Sequence, residues 1–193
     1  ATNTFTVAVV GPDLWANGAT ANWSADTNWT AESANRPPAS KDSLVFGATT
    51  GATSLTNDLT TAAFGVAGIT FSAGAPAYTL SGNAFALTGD ITNGSSSAQT
   101  LNTPFSMTAV RTVSTAPGNM TLGGTISGSA SGGINKTGAG TLTLTKPNTY
   151  SNLTVSAGTL KLNHGGNTAD TMTGAVTVNN GGTLSFGNYN QFA

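Results

Sequence analysis

Apolar and polar residues alternate in short runs along most of the chain, and Gly, Asn and Ser separate the runs. Period-two stretches bounded by turn formers predict strands. They cover Thr4 to Val10, Ser43 to Phe46, Gly68 to Phe71, Ala77 to Leu80, Phe85 to Thr88, Asn119 to Leu122, Thr141 to Thr145, Leu153 to Val155, Thr159 to Leu162, Ala175 to Val178 and Thr183 to Phe186. No comparable stretch free of Gly and Pro carries apolar side chains at helical spacing. The expected class is all-β.

The C-terminal half repeats itself. Gly140-Thr-Leu-Thr-Leu, Gly158-Thr-Leu-Lys-Leu and Gly182-Thr-Leu-Ser-Phe share one pattern, and Val155-Ser-Ala-Gly and Val178-Asn-Asn-Gly precede the second and third copies in equivalent places. A repeat of this length is one coil of a solenoid, whose stacking sets equivalent residues over one another. Leu142 and Leu144, or Leu160 and Leu162, then face inward, with Thr and Lys between them facing out. An antiparallel β-sandwich remains an alternative for the N-terminal half, where Asn17-Gly18 and Asn93-Gly94 fit hairpin turns as well as coil corners. The division expected is an N-terminal strand and Trp-rich cap over residues 1–50, then coils over 51–193, most regular from about residue 118.

The run Lys136-Thr-Gly-Ala-Gly-Thr-Leu-Thr-Leu-Thr-Lys-Pro-Asn-Thr-Tyr-Ser-Asn-Leu-Thr-Val-Ser-Ala-Gly-Thr-Leu160 resembles the autotransporter-associated β-strand repeat, whose pattern is K-x-G-x-G-T-L-x-L-x-G-x-N-x-Y-[ST]-G-x-T-x-[VI]-x-x-G-T-L. Lys136, Gly138, Gly140, Asn148, Tyr150, Val155 and Gly158 stand at matching positions, while Lys146 and Asn152 replace two of the usual glycines. The segment holding Trp15, Trp23, Trp29, Pro37-Pro38 and Asp42 to Phe46 also resembles the region ahead of such repeats in large secreted bacterial proteins. The resemblance implies a right-handed parallel β-helix displayed outside the cell, without implying an enzyme.

Composition narrows the function. Charged residues are only 7% of the chain and the formal net charge is -1, so the clustered Lys and Arg that nucleic acid or anionic lipid would require are missing. The longest apolar run, Val7 to Val10, is far too short to span a bilayer. Cysteine is absent, which removes disulfides and thiolate metal sites. The first residue is Ala1, as after signal-peptide cleavage, and together with the resemblance this places the expected location at the cell surface or beyond.

Candidate chemistry is sparse. His164 is the only histidine and lies in Asn163-His-Gly-Gly, which reads as a solvated turn. Asp13, Asp26, Glu32, Asp42, Asp58, Asp90 and Asp170 are scattered, with no calcium-loop spacing. No catalytic residue, cofactor or metal is therefore assigned, and a non-catalytic structural protein is expected. Two contact surfaces are. Phe5, Val7 and Val9 of the first strand, with Leu184 and Phe186 of the last repeat, form a candidate assembly interface for other copies of the chain, stacked head to tail into a filament or layer. Trp15, Trp23 and Trp29 either close the open end of the solenoid or, on exposed loops, stack on surface glycans in an adhesive module.

Overall fold

The computed structural model describes residues 11–16, 20–30, 35–60, 64–165 and 169–192. Strands follow one another around a parallel β-solenoid of about six turns, three strands to a coil. The first face runs from residues 65–66 through Phe85–Leu87, Phe105–Met107, Ile126–Gly128 and Thr149–Tyr150 to Thr171–Met172. The second runs from Asp42–Phe46 through residues 69–71, Ile91–Asn93, Val110–Thr115, Gly133–Thr137 and Asn152–Val155 to Val176–Val178. The third is a seven-stranded sheet of Ser54–Asn57, Thr79–Gly82, Gln99–Leu101, Met120–Leu122, Thr141–Leu144, Gly158–Leu162 and Gly182–Phe186.

Register explains the sequence pattern. On the third face Leu55, Leu80, Leu101, Leu122, Leu144, Leu162 and Phe186 pair in one column, without a register shift. The five from Leu80 to Leu162 are buried with Leu55, whereas Phe186 is exposed at the end of the stack. Beside them Ser54, Thr79, Thr100, Thr121, Thr143, Lys161 and Ser185 form the outward column. Because side chains alternate across a strand, each Thr-Leu step sends a methyl-bearing hydroxyl to solvent and an aliphatic group to the core. On the second face Leu44, Ile69, Ile91, Val113, Lys136, Val155 and Val178 share an inner column.

The sandwich alternative fails for the N-terminal half. Ser54–Asn57 pairs in parallel with Thr79–Gly82, and Asp42–Phe46 in parallel with Gly65–Phe71. Among the described strands the antiparallel contact is that of Pro12–Trp15 with Trp29–Thr30. Gly11-Pro12 does not break the chain there: Pro12 opens a strand that lies parallel to Asp42–Phe46. A proline is tolerated at the first residue of a strand, where its missing N–H interrupts no inner ladder. The predicted strand Thr4 to Val10 and the turn Asn17-Gly18 lie outside the described residues.

Candidate functional sites

Residues 11–30 fold across the N-terminal end of the stack. Trp23 N donates to Thr56 O and Thr56 N to Ala21 O, so backbone of this segment pairs with the first strand of the third face. Trp15, Trp23 and Trp29 are 5%, 0% and 0% exposed. Trp29 meets Trp15 and Trp23 edge-on, with centroids 5.2 and 6.0 Å apart, and all three close on Phe46, which stacks on Phe71. Trp29 Nε1 donates to Trp23 O. The three rings offer no free face to a sugar, which corrects the glycan-platform reading of Trp15, Trp23 and Trp29. They bury the apolar end of the first coil instead, as the cap reading expects.

An acid pair lies under this cap. Asp13, on Pro12–Trp15, and Asp42, on Asp42–Phe46, are buried. Arg36 Nη1 stands 2.7 Å from Asp42 Oδ2, which also accepts from the Ala39 amide at 2.6 Å, while Arg36 Nη2 is 3.5 Å from Asp13 Oδ1. Among the described residues, neither oxygen of Asp13 receives a hydrogen bond from an N–H or hydroxyl. Burial, together with the neighbouring Asp42, pushes the Asp13 carboxyl up to about 7. Burial also acts upward on Asp42, but hydrogen bonds from Asp13, Arg36 and Ala39 outweigh it and hold that carboxyl below its ordinary value. The two aspartates are 29 positions apart in a chain of scattered acids, so only the parallel pairing of their strands reveals them as neighbours.

The second site is a cation in the core. Lys136 occupies a rung between Val113 and Val155 and is 0% exposed. Its Nζ donates to Thr137 O, Gly138 O and Ala157 O at 2.8, 2.7 and 3.0 Å. Three carbonyl dipoles take the place of water and tie two successive coils at one corner. No carboxylate pairs with Lys136 among the described residues, and burial lowers its ammonium to about 8.

A third polar group closes the corner of the last two coils. Tyr150 Oη donates to Asp170 Oδ2 at 2.5 Å, and the Asn148 amide donates to Asp170 Oδ1 at 2.7 Å. One coil earlier the Ile126 amide donates to Asn148 Oδ1 in the same way, so Asn148 and Asp170 satisfy backbone donors in sequence. His164 Nε2 lies 3.3 Å from Asp170 Oδ1, and the His164 amide donates to Gln191 Oε1. His164 and Asp170 are both 0% exposed. This corrects the reading of His164 as a solvated turn residue: Asn188 Nδ2 and Gln191, from the following coil, cover it. Burial raises the Asp170 carboxyl against the pull of Tyr150 and His164, and burial beside Asp170 raises the Tyr150 phenol. A buried Tyr–Asp–His chain has the residue types of an acid–base relay, and all three of its members are covered. Its geometry is that of a joint.

The surface offers two further features. The first face carries an open groove of about 390 Å³ over Phe64, Phe85 and Phe105, edged by Ala86, Pro104 and Ser106, with no ionisable group in its lining. At the C-terminal end Val176, Val178, Phe186 and Tyr189 are exposed, and Leu184 is half-buried. The predicted assembly residues Leu184 and Phe186 thus sit on the open coil, while Phe5, Val7 and Val9 lie outside the described residues. Among the described residues no three His, Cys, Asp or Glu side chains gather as metal ligands.

With the corners in view, the family comparison gains a structural meaning. Residues 134–162 match the passenger-associated-transport-repeat. Comparison with curated proteins and with solved structures returns no match. The matched segment runs from a second-face strand around one full coil to the third face of the next, and several of its signature residues act at the coil corners. Lys136 binds carbonyls, Gly138 and Gly158 hold φ of 77° and 65°, Asn148 caps a backbone donor and Tyr150 anchors Asp170.

Proposed function

We propose that the chain is a non-catalytic β-helical scaffold module of a larger, secreted passenger-type protein, which presents a sparsely charged outer surface outside the cell. The observation that carries this reading is the role of the repeat's polar residues. Lys136, Asn148 and Tyr150 are each spent on a coil corner, in contact with backbone or with another buried side chain. The passenger-associated repeat supports the surface location. The outward column of the third face, Ser and Thr apart from Lys161, supports a display role, because hydroxyls solvate the sheet with little of the charge that would attract counter-ligands. Any glycan partner would meet these side chains and not the tryptophans.

The test is to express the chain behind a signal peptide and ahead of an autotransporter translocator, then probe intact cells with antibody and external protease. Surface exposure of a protease-resistant core is expected; retention in the periplasm contradicts the proposal.

A second reading, a self-associating filament or layer subunit, is favoured by the exposed Val176, Val178 and Phe186, which continue inner columns beyond the last rung. Edge strands of this kind template further pairing. The opposite end is covered by residues 11–30, so a head-to-tail stack would have to displace or share that cap. Light scattering at high concentration with negative-stain microscopy decides: fibres support the subunit, and a monomer contradicts it.

A further inference from the structure

We propose that Asp13, Asp42 and Arg36 form a pH-sensitive latch, which holds the N-terminal cap on the stack while one proton is shared between the two carboxyls and loosens it when that proton leaves. The geometry supplies the parts. Asp13 and Asp42 belong to the two strands that must stay paired for the cap to close, registered as Pro12 with Ser43 and Asp13 with Leu44. One residue beyond Leu14 on the same strand is Trp15, packed against Trp29 and Phe46, so a displacement of Pro12–Trp15 reaches the aromatic cluster directly.

Arg36 cannot neutralise both acids. Its short contact is to Asp42, which is further bound by the Ala39 amide, whereas among the described residues Asp13 has the longer 3.5 Å contact and no hydrogen-bond donor. A protonated Asp13 donates to Asp42 and satisfies both groups. An ionised Asp13 leaves two negative charges and one cation in a buried site, the arrangement in which one carboxyl of a pair holds its proton. Among the described residues, the charged groups facing Asp13 are Asp42 and Arg36. The other carboxylate fastened to the cap, Asp58, accepts from the amide and hydroxyl of Ser24.

The sign follows from linkage. The Asp13 carboxyl is raised from 3.8 to about 7, so between those values the closed cap binds a proton that the open segment does not. The latch is therefore tightest in mild acid and weakens as pH rises through neutrality.

The chain carries its own reporter, because Trp15, Trp23 and Trp29 are its only tryptophans and all lie in the cap. Urea unfolding followed by tryptophan fluorescence, at pH values from about 5 to about 8, should show a midpoint that falls as pH rises. In Asp13→Asn, whose amide donates to Asp42 without titrating, the midpoint should fall less over the same range, because among the described residues only the raised carboxyl of Asp170 then contributes. A level midpoint in the unaltered chain, or a parallel fall in the variant, overturns the latch. Should Asp13→Asn fail to fold, carboxyl carbon-13 NMR of the unaltered chain, with the Asp13 resonance assigned, reads the same group: Asp13 titrating near neutrality upholds the proposal, and Asp13 titrating in the ordinary acid range overturns it. Neither result bears on where the protein is displayed, so the scaffold proposal stands or falls separately.

Discussion

Lys136 stands on a rung where its neighbours along the column are aliphatic, and the charge is tolerated because three carbonyl oxygens surround Nζ. Its ammonium is lowered from 10.5 to about 8 by burial. Between those values the unfolded chain binds a proton that the folded chain lacks, so this residue makes stability rise with pH, by on the order of 3 kcal/mol across the window. Chemical denaturation of the unaltered chain and of Lys136→Met, at pH about 7.5 and about 9.5, should show that rise in the first and its absence in the second. The direction is opposite to that of Asp13, and although the two groups titrate over neighbouring ranges, the difference between the unaltered chain and Lys136→Met isolates the lysine. Tyr150→Phe removes the hydroxyl that donates to Asp170 and leaves a buried carboxylate oxygen unpaired. The expected cost is about 1 to 3 kcal/mol, read as a lower melting temperature; an unchanged melting temperature would mean that this corner contributes little.

At the scale of the strand and the corner, the inner column of the third face carries most of the packing. Leu122→Ala should cost about 2 to 5 kcal/mol, because the rungs above and below are held in register and cannot close the cavity. The adjoining outward Thr121→Ala should stay within about 0.5 kcal/mol. Equal effects from the two would contradict the assignment of faces. Gly158 turns at φ of 65°, and a Cβ there would run into the carbonyls of Gly138 and Gly140 from the coil beneath. Gly158→Ala should therefore cost more than the roughly 1 to 2 kcal/mol of left-handed strain alone, measured by denaturant unfolding.

Much of this level is legible in the residue order. The copies at Gly140, Gly158 and Gly182 reveal the coil, and alternation within each reveals its two faces. The coils ahead of Gly140 are harder because only Thr-Leu recurs there, at Thr79, Thr100 and Thr121, with a different residue ahead of each. That pair is the core-and-surface step of the third face, and a search for it alone would have extended the repeat backwards. The buried polar joints are hidden for another reason. His164 sits beside glycines and reads as solvated, and it is covered only because Asn188 and Gln191 return over it one coil later. Asp13 and Asp42 likewise meet through strand pairing, which local sequence does not encode.

For the whole molecule, a solenoid is held by contacts between nearest coils, so its two ends set how it frays. The N-terminal end is closed by three tryptophans and the acid latch, while the C-terminal coil exposes Val176, Val178 and Phe186. Native-state hydrogen exchange should find Val176–Val178 and Gly182–Phe186 the least protected strands and the central coils the most. Uniform protection along the stack would contradict this gradient. Scaffold, latch and display surface all rest on one continuous column of in-register parallel strands, and the absence of cysteine allows that column to be measured with paired spin labels. With cysteines placed at Ser54 and Thr121, and separately at Ser54 and Ser185, a strand spacing of about 4.8 Å predicts backbone separations of about 14 and about 29 Å, growing by one spacing per coil. Dipolar distances that follow this progression support the account; a Ser54 to Ser185 distance no longer than that of Ser54 to Thr121 would contradict it.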